Sequence, residues 1–138
     1  MPVHRTITFS LNGMLFEYDE EKNLTNIKKH GISFPSAARV FFDYDRIEMY
    51  DEENSIDEDR YDTIGDTSAG NFYSNPQDGT MVIGNVEPFA SNVNDILFVV
   101  YTERVLQEAN GTETEVTRLI SARLATSFEK GLYYGKQT

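Results

Sequence analysis

Apolar and polar positions alternate through ITFSLNGMLFEY (residues 7–18), with Asn12-Gly13 between the two halves, a pattern that predicts a strand or a hairpin closed by that dipeptide. The period then changes. EEKNLTNIKKHG (residues 20–31) reads as a helix: Asp19 offers its N-cap, early glutamates and late Lys28, Lys29 and His30 suit the dipole, and Gly31 ends it. Leu24 and Ile27 give that helix an apolar edge. Ser33 caps a second helix over FPSAARVFF, with Pro35 in its first turn and Ala37, Ala38, Phe41 and Phe42 as its inward residues. Strand patterning follows at 46–50 and 60–65 on either side of the turn DEENSIDED, then at 96–103 (ILFVVYTE) and 115–122 (EVTRLISA), joined around Asn110-Gly111. Residues 126–134 close the chain as a short helix that can dock Phe128, Leu132 and Tyr133 on the sheet.

Between these elements, residues 66–95 are rich in Gly, Asn, Ser and Pro, with one apolar run at Met81–Ile83, and read as a long loop with room for an embedded strand. The order is helix, helix, about four sequential strands, helix. It predicts an α+β fold with a roughly four-stranded antiparallel sheet, within one domain spanning residues 1–138.

Composition narrows the chemistry. With 39% apolar residues, nine Phe and eight Tyr, the chain has the material for a core. It has no cysteine, which excludes a thiol nucleophile, a disulfide framework and a cysteine zinc cluster. His4 and His30 are too far apart in sequence for a local metal motif, so no metal and no cofactor are expected. No 18-residue apolar span and no signal-type N-terminus is visible, which leads to the expectation of a cytoplasmic protein without membrane contact. The formal charge is −11, but residues 43–66 alone hold eleven acids against two arginines. The acidity thus belongs to one segment, and a basic site elsewhere remains open.

No P-loop, GxGxxG, GxSxG, HExxH or EF-hand spacing is present. What remains is a scatter of cations: Lys28, Lys29 and His30 at one helix end, then Arg60, Arg104, Arg118 and Arg123 on or near strands. His30 is a candidate proton carrier near neutral pH, although a helix C-terminus accounts for it and for the two lysines equally well. Strand-end guanidinium groups can hold a phosphate through two parallel hydrogen bonds. Pairing with Glu103, Glu113 and Glu115 is the plainer account, and exposed pairs of that kind contribute little. Strict alternation places Leu119, Ser121 and Arg123 on one face of their strand and Arg118, Ile120 and Ala122 on the other. Tyrosines such as Tyr101 can stack on bases or fill the core.

Taken together, FEYDEEKNLTNIKKHGISFPSAARVF (residues 16–41), DRYDTIG (59–65), FVVYTER (98–104) and RLISARLAT (118–126) resemble, in order, the segments of the BrnT family of bacterial type II toxins. The junction Lys29–Phe34 resembles its KHG-x-SF motif, Asp59–Gly65 its ERY-xx-IG strand, and Glu129 and Tyr133 its terminal helix. The resemblance implies a RelE-like α+β fold, metal-independent cleavage of RNA, and neutralisation by a BrnA-like ribbon-helix-helix antitoxin, with room for a homodimer in the complex. Carried over by position, the catalytic residues are His30, Arg60, Arg104 and Arg123, and the RNA contacts Lys29, Tyr101 and Arg118. Arg104 and Arg123 would hold phosphate charge, Arg60 phosphate or orientation, and His30 a proton. Residues 1–13 and about 67–95 read as an N-terminal extension and an insertion. Leu124 stands where the family usually has a basic residue, and Asp59 replaces its usual Glu. These departures and the acidity support the alternatives of a catalytically silent protein-binding member or an acidic mimic of nucleic acid.

Overall fold

A computed structural model of the chain describes residues 4–70 and 95–135. Six strands form one sheet in the order β1-β2-β6-β5-β4-β3. In chain order these are β1 (Thr6–Leu11), β2 (Met14–Asp19), α1 (Glu20–His30), α2 (Phe34–Ala37) running into a 3-10 turn (Ala38–Phe42), β3 (Ile47–Tyr50), β4 (Tyr61–Asp66), a second 3-10 turn (Thr67–Gly70), β5 (Ile96–Gln107), β6 (Glu113–Leu124) and α3 (Ser127–Gly135). The α+β class and the C-terminal helix agree with expectation, whereas a hairpin precedes the two helices expected at the N-terminus. The loop read at 66–95 and the run Met81–Ile83 fall mostly outside the described residues.

The sheet is larger than expected and mixed. Residues 6–19 form an antiparallel hairpin over Asn12 and Gly13, both at positive φ as a two-residue hairpin turn requires. That hairpin joins the sheet through a parallel pairing of β2 with β6, Phe16 opposite Thr117 and Glu17 opposite Arg118. The sheet is therefore six-stranded where local patterning gave about four, because a pairing between segments this distant leaves no local sequence signal. β5 and β6 also run further than expected, to Gln107 and from Glu113, as a long ribbon turned at Gly111.

The caps form as the residues dictate. The Asp19 carboxylate accepts from the Glu21 N–H, Gly31 closes α1 in the left-handed region at φ 73°, and Ser33 accepts from the Ser36 N–H. The second helix is only one α-turn before it tightens to 3-10. Its Ala37, Ala38, Val40 and Phe41 pack with Phe16, Leu97, Val99, Tyr101 and Leu119 into the main core on one face of the sheet.

Two helix faces differ from their sequence reading. Leu24 of α1 is 59% exposed, and the buried side chains are Asn23 and Asn26. The reason is that α1 lies along the edge that β6 exposes once β2 has left it. There the backbone needs hydrogen-bond partners more than apolar contact. Asn26 donates to the carbonyls of Ile32 and Ala122 and accepts from the Ala122 N–H, and Asn23 accepts from the Phe34 N–H. In α3, Phe128 is 75% exposed and Leu132 also faces outward, so Tyr133 alone of the three docks. Its hydroxyl donates to Asp43 at 2.6 Å, and its ring joins Ile64, Ile96 and Ala125 in a smaller core on the second sheet face.

Candidate nucleic-acid interface

Directly opposed residues in a sheet point to the same side. Following the register from the smaller core, Ile64 opposes Phe98, Phe98 opposes Arg123, Asp62 opposes Val100, and Thr102 opposes Arg118, which in turn opposes Glu17. All of these occupy the second face, which α3 covers only at one end. Arg60, two residues before Asp62, and Arg104, two after Thr102, continue the same rows. Four guanidinium groups thus share one face.

Strict alternation along β6 had separated Arg118 from Arg123. A register shift corrects this: Val100 opposes Ser121 while Tyr101 opposes Leu119, so Ile120 is a surplus residue in β6. The bulge changes the phase of the strand and brings both arginines to the same side, while Leu119 and Ala122 stay in the main core.

None of the four stands free. Arg123 forms a two-pronged bond to Glu129, Nη1–Oε1 2.8 Å and Nη2–Oε2 2.9 Å, and lies over the Phe98 ring at 4.2 Å from its centroid. Glu129 also accepts from the Thr126 N–H while Thr126 accepts from the Glu129 N–H, a capping box that starts α3. Held by Arg123, the Glu129 carboxyl titrates below its ordinary value. Glu17, only 5% exposed, takes Arg104 on one oxygen and Arg118, at 3.5 Å, on the other. Arg60 faces Glu58 at 3.4 Å. The sequence reading of carboxylate pairing was right in kind but named the wrong partners: Glu103, Glu113 and Glu115 are not the ones used by these pairs.

Asp62 lies in this field, and sequence reasoning missed it. Burial, a hydrogen bond to Asp51 and the Asp51 charge push its carboxyl up to about 7, against an opposing pull from Arg123. Asp51 stays low, held first by the Asn54 amide. With Asp51 ionised, a proton on Asp62 completes the contact between them, and Asp62 Oδ1 has no donor from the protein. Its position, in phase with Arg60 and across from the acidic turn, is the one signal the sequence contains.

Folded Asp62 holds its proton to higher pH than the unfolded chain, so its stabilisation is full below the ordinary value of 3.8 and is lost as pH rises to about 7. Asp62→Asn, whose amide can donate to Asp51, is therefore expected to raise the melting temperature at pH 8 and to change it little at pH 4. Equal differences at the two pH values would show that Asp62 does not titrate in that window.

The remaining sequence candidates divide. Lys29 and His30, at the end of α1, line a cleft with Ser121 on the outer edge of β6, beside the arginine rows. Tyr101 is not with them. It is 4% exposed in the main core, packed edge-on to Phe41 and stacked on Tyr61, with its hydroxyl on Glu48. Burial and the Glu48 charge raise its hydroxyl pKa, and the ring is on the opposite face from the arginines.

No helix among the described residues is long and apolar enough to cross a membrane. No curated protein matches the chain. A family model described as the ribonuclease toxin BrnT of type II toxin–antitoxin systems matches residues 18–75. The match covers α1 to β4 and extends into the segment read as an insertion, whereas β5, β6 and α3 lie beyond it.

Proposed function

We propose that this chain, a BrnT-family type II toxin by its match over residues 18–75, is a RelE-like endoribonuclease that cuts RNA with side chains alone. The single observation that carries this reading is the register that sets four arginines on one sheet face with Asp62, whose carboxyl burial and Asp51 push up to about 7. RNA supplies its own nucleophile. As the 2′-hydroxyl loses its proton and attacks phosphorus, negative charge builds on the phosphoryl oxygens. The P–O5′ bond then breaks, and the leaving oxygen takes a proton. Arg123 and Arg104 are assigned to phosphoryl charge, Arg60 and Arg118 to the flanking backbone, and Asp62 and His30 to proton transfer. Lys29 extends the cationic surface along the strand edge.

Purified protein incubated with RNA is expected to give 2′,3′-cyclic phosphate and 5′-hydroxyl ends. Protein freed of its antitoxin that leaves RNA intact, and whose expression does not slow growth, would overturn the assignment.

One observation favours a second reading, that of a catalytically silent member acting through its partner: each arginine already has a carboxylate. The two readings separate on induction without the antitoxin, since only a nuclease arrests growth.

The partner we propose is a BrnA-like ribbon-helix-helix antitoxin. A groove beyond the reach of the helices, at the sheet end where Arg104 lies, is lined by Glu58, Asp59, Glu103, Glu113 and Glu115 together with Arg104, over apolar Val105 and Met14. A basic antitoxin segment suits it. Association is then expected to slow by about tenfold or more between low and high salt. A rate indifferent to ionic strength would remove the groove from the interface.

A further inference from the structure

The cleft beside Ser121 contains a residue that neither the family match nor the sequence reading assigns. His4 precedes β1 and lies in the segment read as an extension. The hairpin returns it to the start of α1, with Thr6 opposite Asp19 and the Glu20 N–H bonded to the Arg5 carbonyl at 2.9 Å. There His4 Nδ1 meets Asp19 Oδ2 at 2.8 Å. Asp19 is 7% exposed, and its other oxygen is occupied by the Glu21 N–H at 2.9 Å. Burial by itself would raise the Asp19 carboxyl, but the bonds from His4 and from the helix N–H groups outweigh it and hold it low.

A carboxylate fixed in this way keeps the proton on Nδ1 and leaves Nε2 as the working nitrogen. His4 lines the cleft of about 330 Å³ together with Lys22, Lys29, His30 and Ser121. The charges facing it are Asp19 and Glu21 from the β2–α1 junction, and Lys22, Lys29 and His30 from α1. β6 contributes Ile120 and Ser121, neither of which titrates. The two lysines offset the two carboxylates, so protonation of the imidazoles makes the cleft net positive. Ser121 lies on β6 between Arg118 and Arg123, so the cleft opens off the side of the arginine rows.

We propose that this cleft is a phosphate subsite for single-stranded nucleic acid, with His4 as its imidazole contact and Asp19 as the residue that positions it. It rests on the nuclease reading for its biological ligand, but not for its test. A simple hairpin clasp would explain the His4–Asp19 bond, though it would give His4 no response to an anion.

The experiment follows the imidazole proton resonances of the full chain by NMR while a thymidine hexadeoxynucleotide, which lacks the 2′-hydroxyl and cannot be cut, is added. The His4 and His30 signals are expected to shift as the anion binds, His4 more than any residue outside the cleft. Asp19→Asn keeps an N-cap and Lys29→Ala changes an exposed side chain, so both fold. Each is expected to weaken binding by about tenfold or more. A His4 signal that stays put at saturating hexamer, or hexamer affinity unchanged in both variants, overturns the proposal. Inorganic phosphate is the control: if it moves the imidazoles and the hexamer does not, the cleft is no nucleic-acid subsite. A His4 that responds in a protein unable to cut RNA upholds the subsite and removes only the nuclease reading.

Discussion

Asn26→Ala is expected to lower the stability of the protein by about 3–5 kcal/mol, measured by urea unfolding, from the loss of several buried bonds at roughly 1–3 kcal/mol each. The Asn26 amide meets Ile32 O at 2.9 Å, Ala122 O at 2.8 Å and Ala122 N at 3.2 Å. It stands in for the strand that β6 lacks at this point, and alanine leaves three backbone groups without a partner in a place where water does not easily reach. Asn26→Asp makes the logic sharper. It keeps the acceptor for the Ala122 N–H but loses both donors and turns a charge toward two carbonyls, so it is expected to cost at least as much. A loss below about 1 kcal/mol for alanine, the net worth of one ordinary hydrogen bond, would mean that α1 is held to the sheet by something else.

Arg123→Ala is expected to reduce the single-turnover rate of RNA cleavage by about 10²–10³, the usual consequence of removing one group that stabilises transition-state charge. The pairing with Glu129 makes a contrast available. Glu129→Gln releases the guanidinium while preserving the helix start, because glutamine serves in the same capping position, so cleavage should persist or rise. If Arg123→Ala cuts at the wild-type rate while its melting curve shows it folded, Arg123 is a bracket for α3 and has no part in the chemistry. The same outcome would favour a binding protein over an enzyme.

Much of the local architecture was legible because it depends on short-range chemistry. Asp19, Gly31 and Ser33 cap helices wherever the chain takes them, and Asn12-Gly13 turns a hairpin through its own backbone preferences. What was hidden depends on distant contacts. Asn23 and Asn26 look like solvent-facing helix residues until β6 presents an unpaired edge. Glu17 reads as an ordinary strand residue, yet the β2–β6 pairing makes it the anchor for Arg104 and Arg118. The candidate arginines were visible as residue types, but their common face was not, since period-two alternation assigns Arg118 and Arg123 to opposite sides. Asp62 could not be singled out because its pKa is raised first by burial in the folded sheet and then by Asp51 from across the β3–β4 hairpin.

That surplus residue in β6 has a consequence for how the protein tolerates change. Ile120 works as a half-step inserted into the pleat: everything after it, from Ser121 through Leu124 to the start of α3, is turned over relative to what precedes it. Substituting Ile120 alters a side chain, and deleting it would regularise the ladder without turning either half over, because Val100 and Tyr101 already oppose Ser121 and Leu119. Plain alternation through the shortened strand would still carry Arg118, Ser121 and Arg123 on one side and Leu119 and Ala122 on the other. The surplus residue is thus the one position of this strand that its two faces can spare.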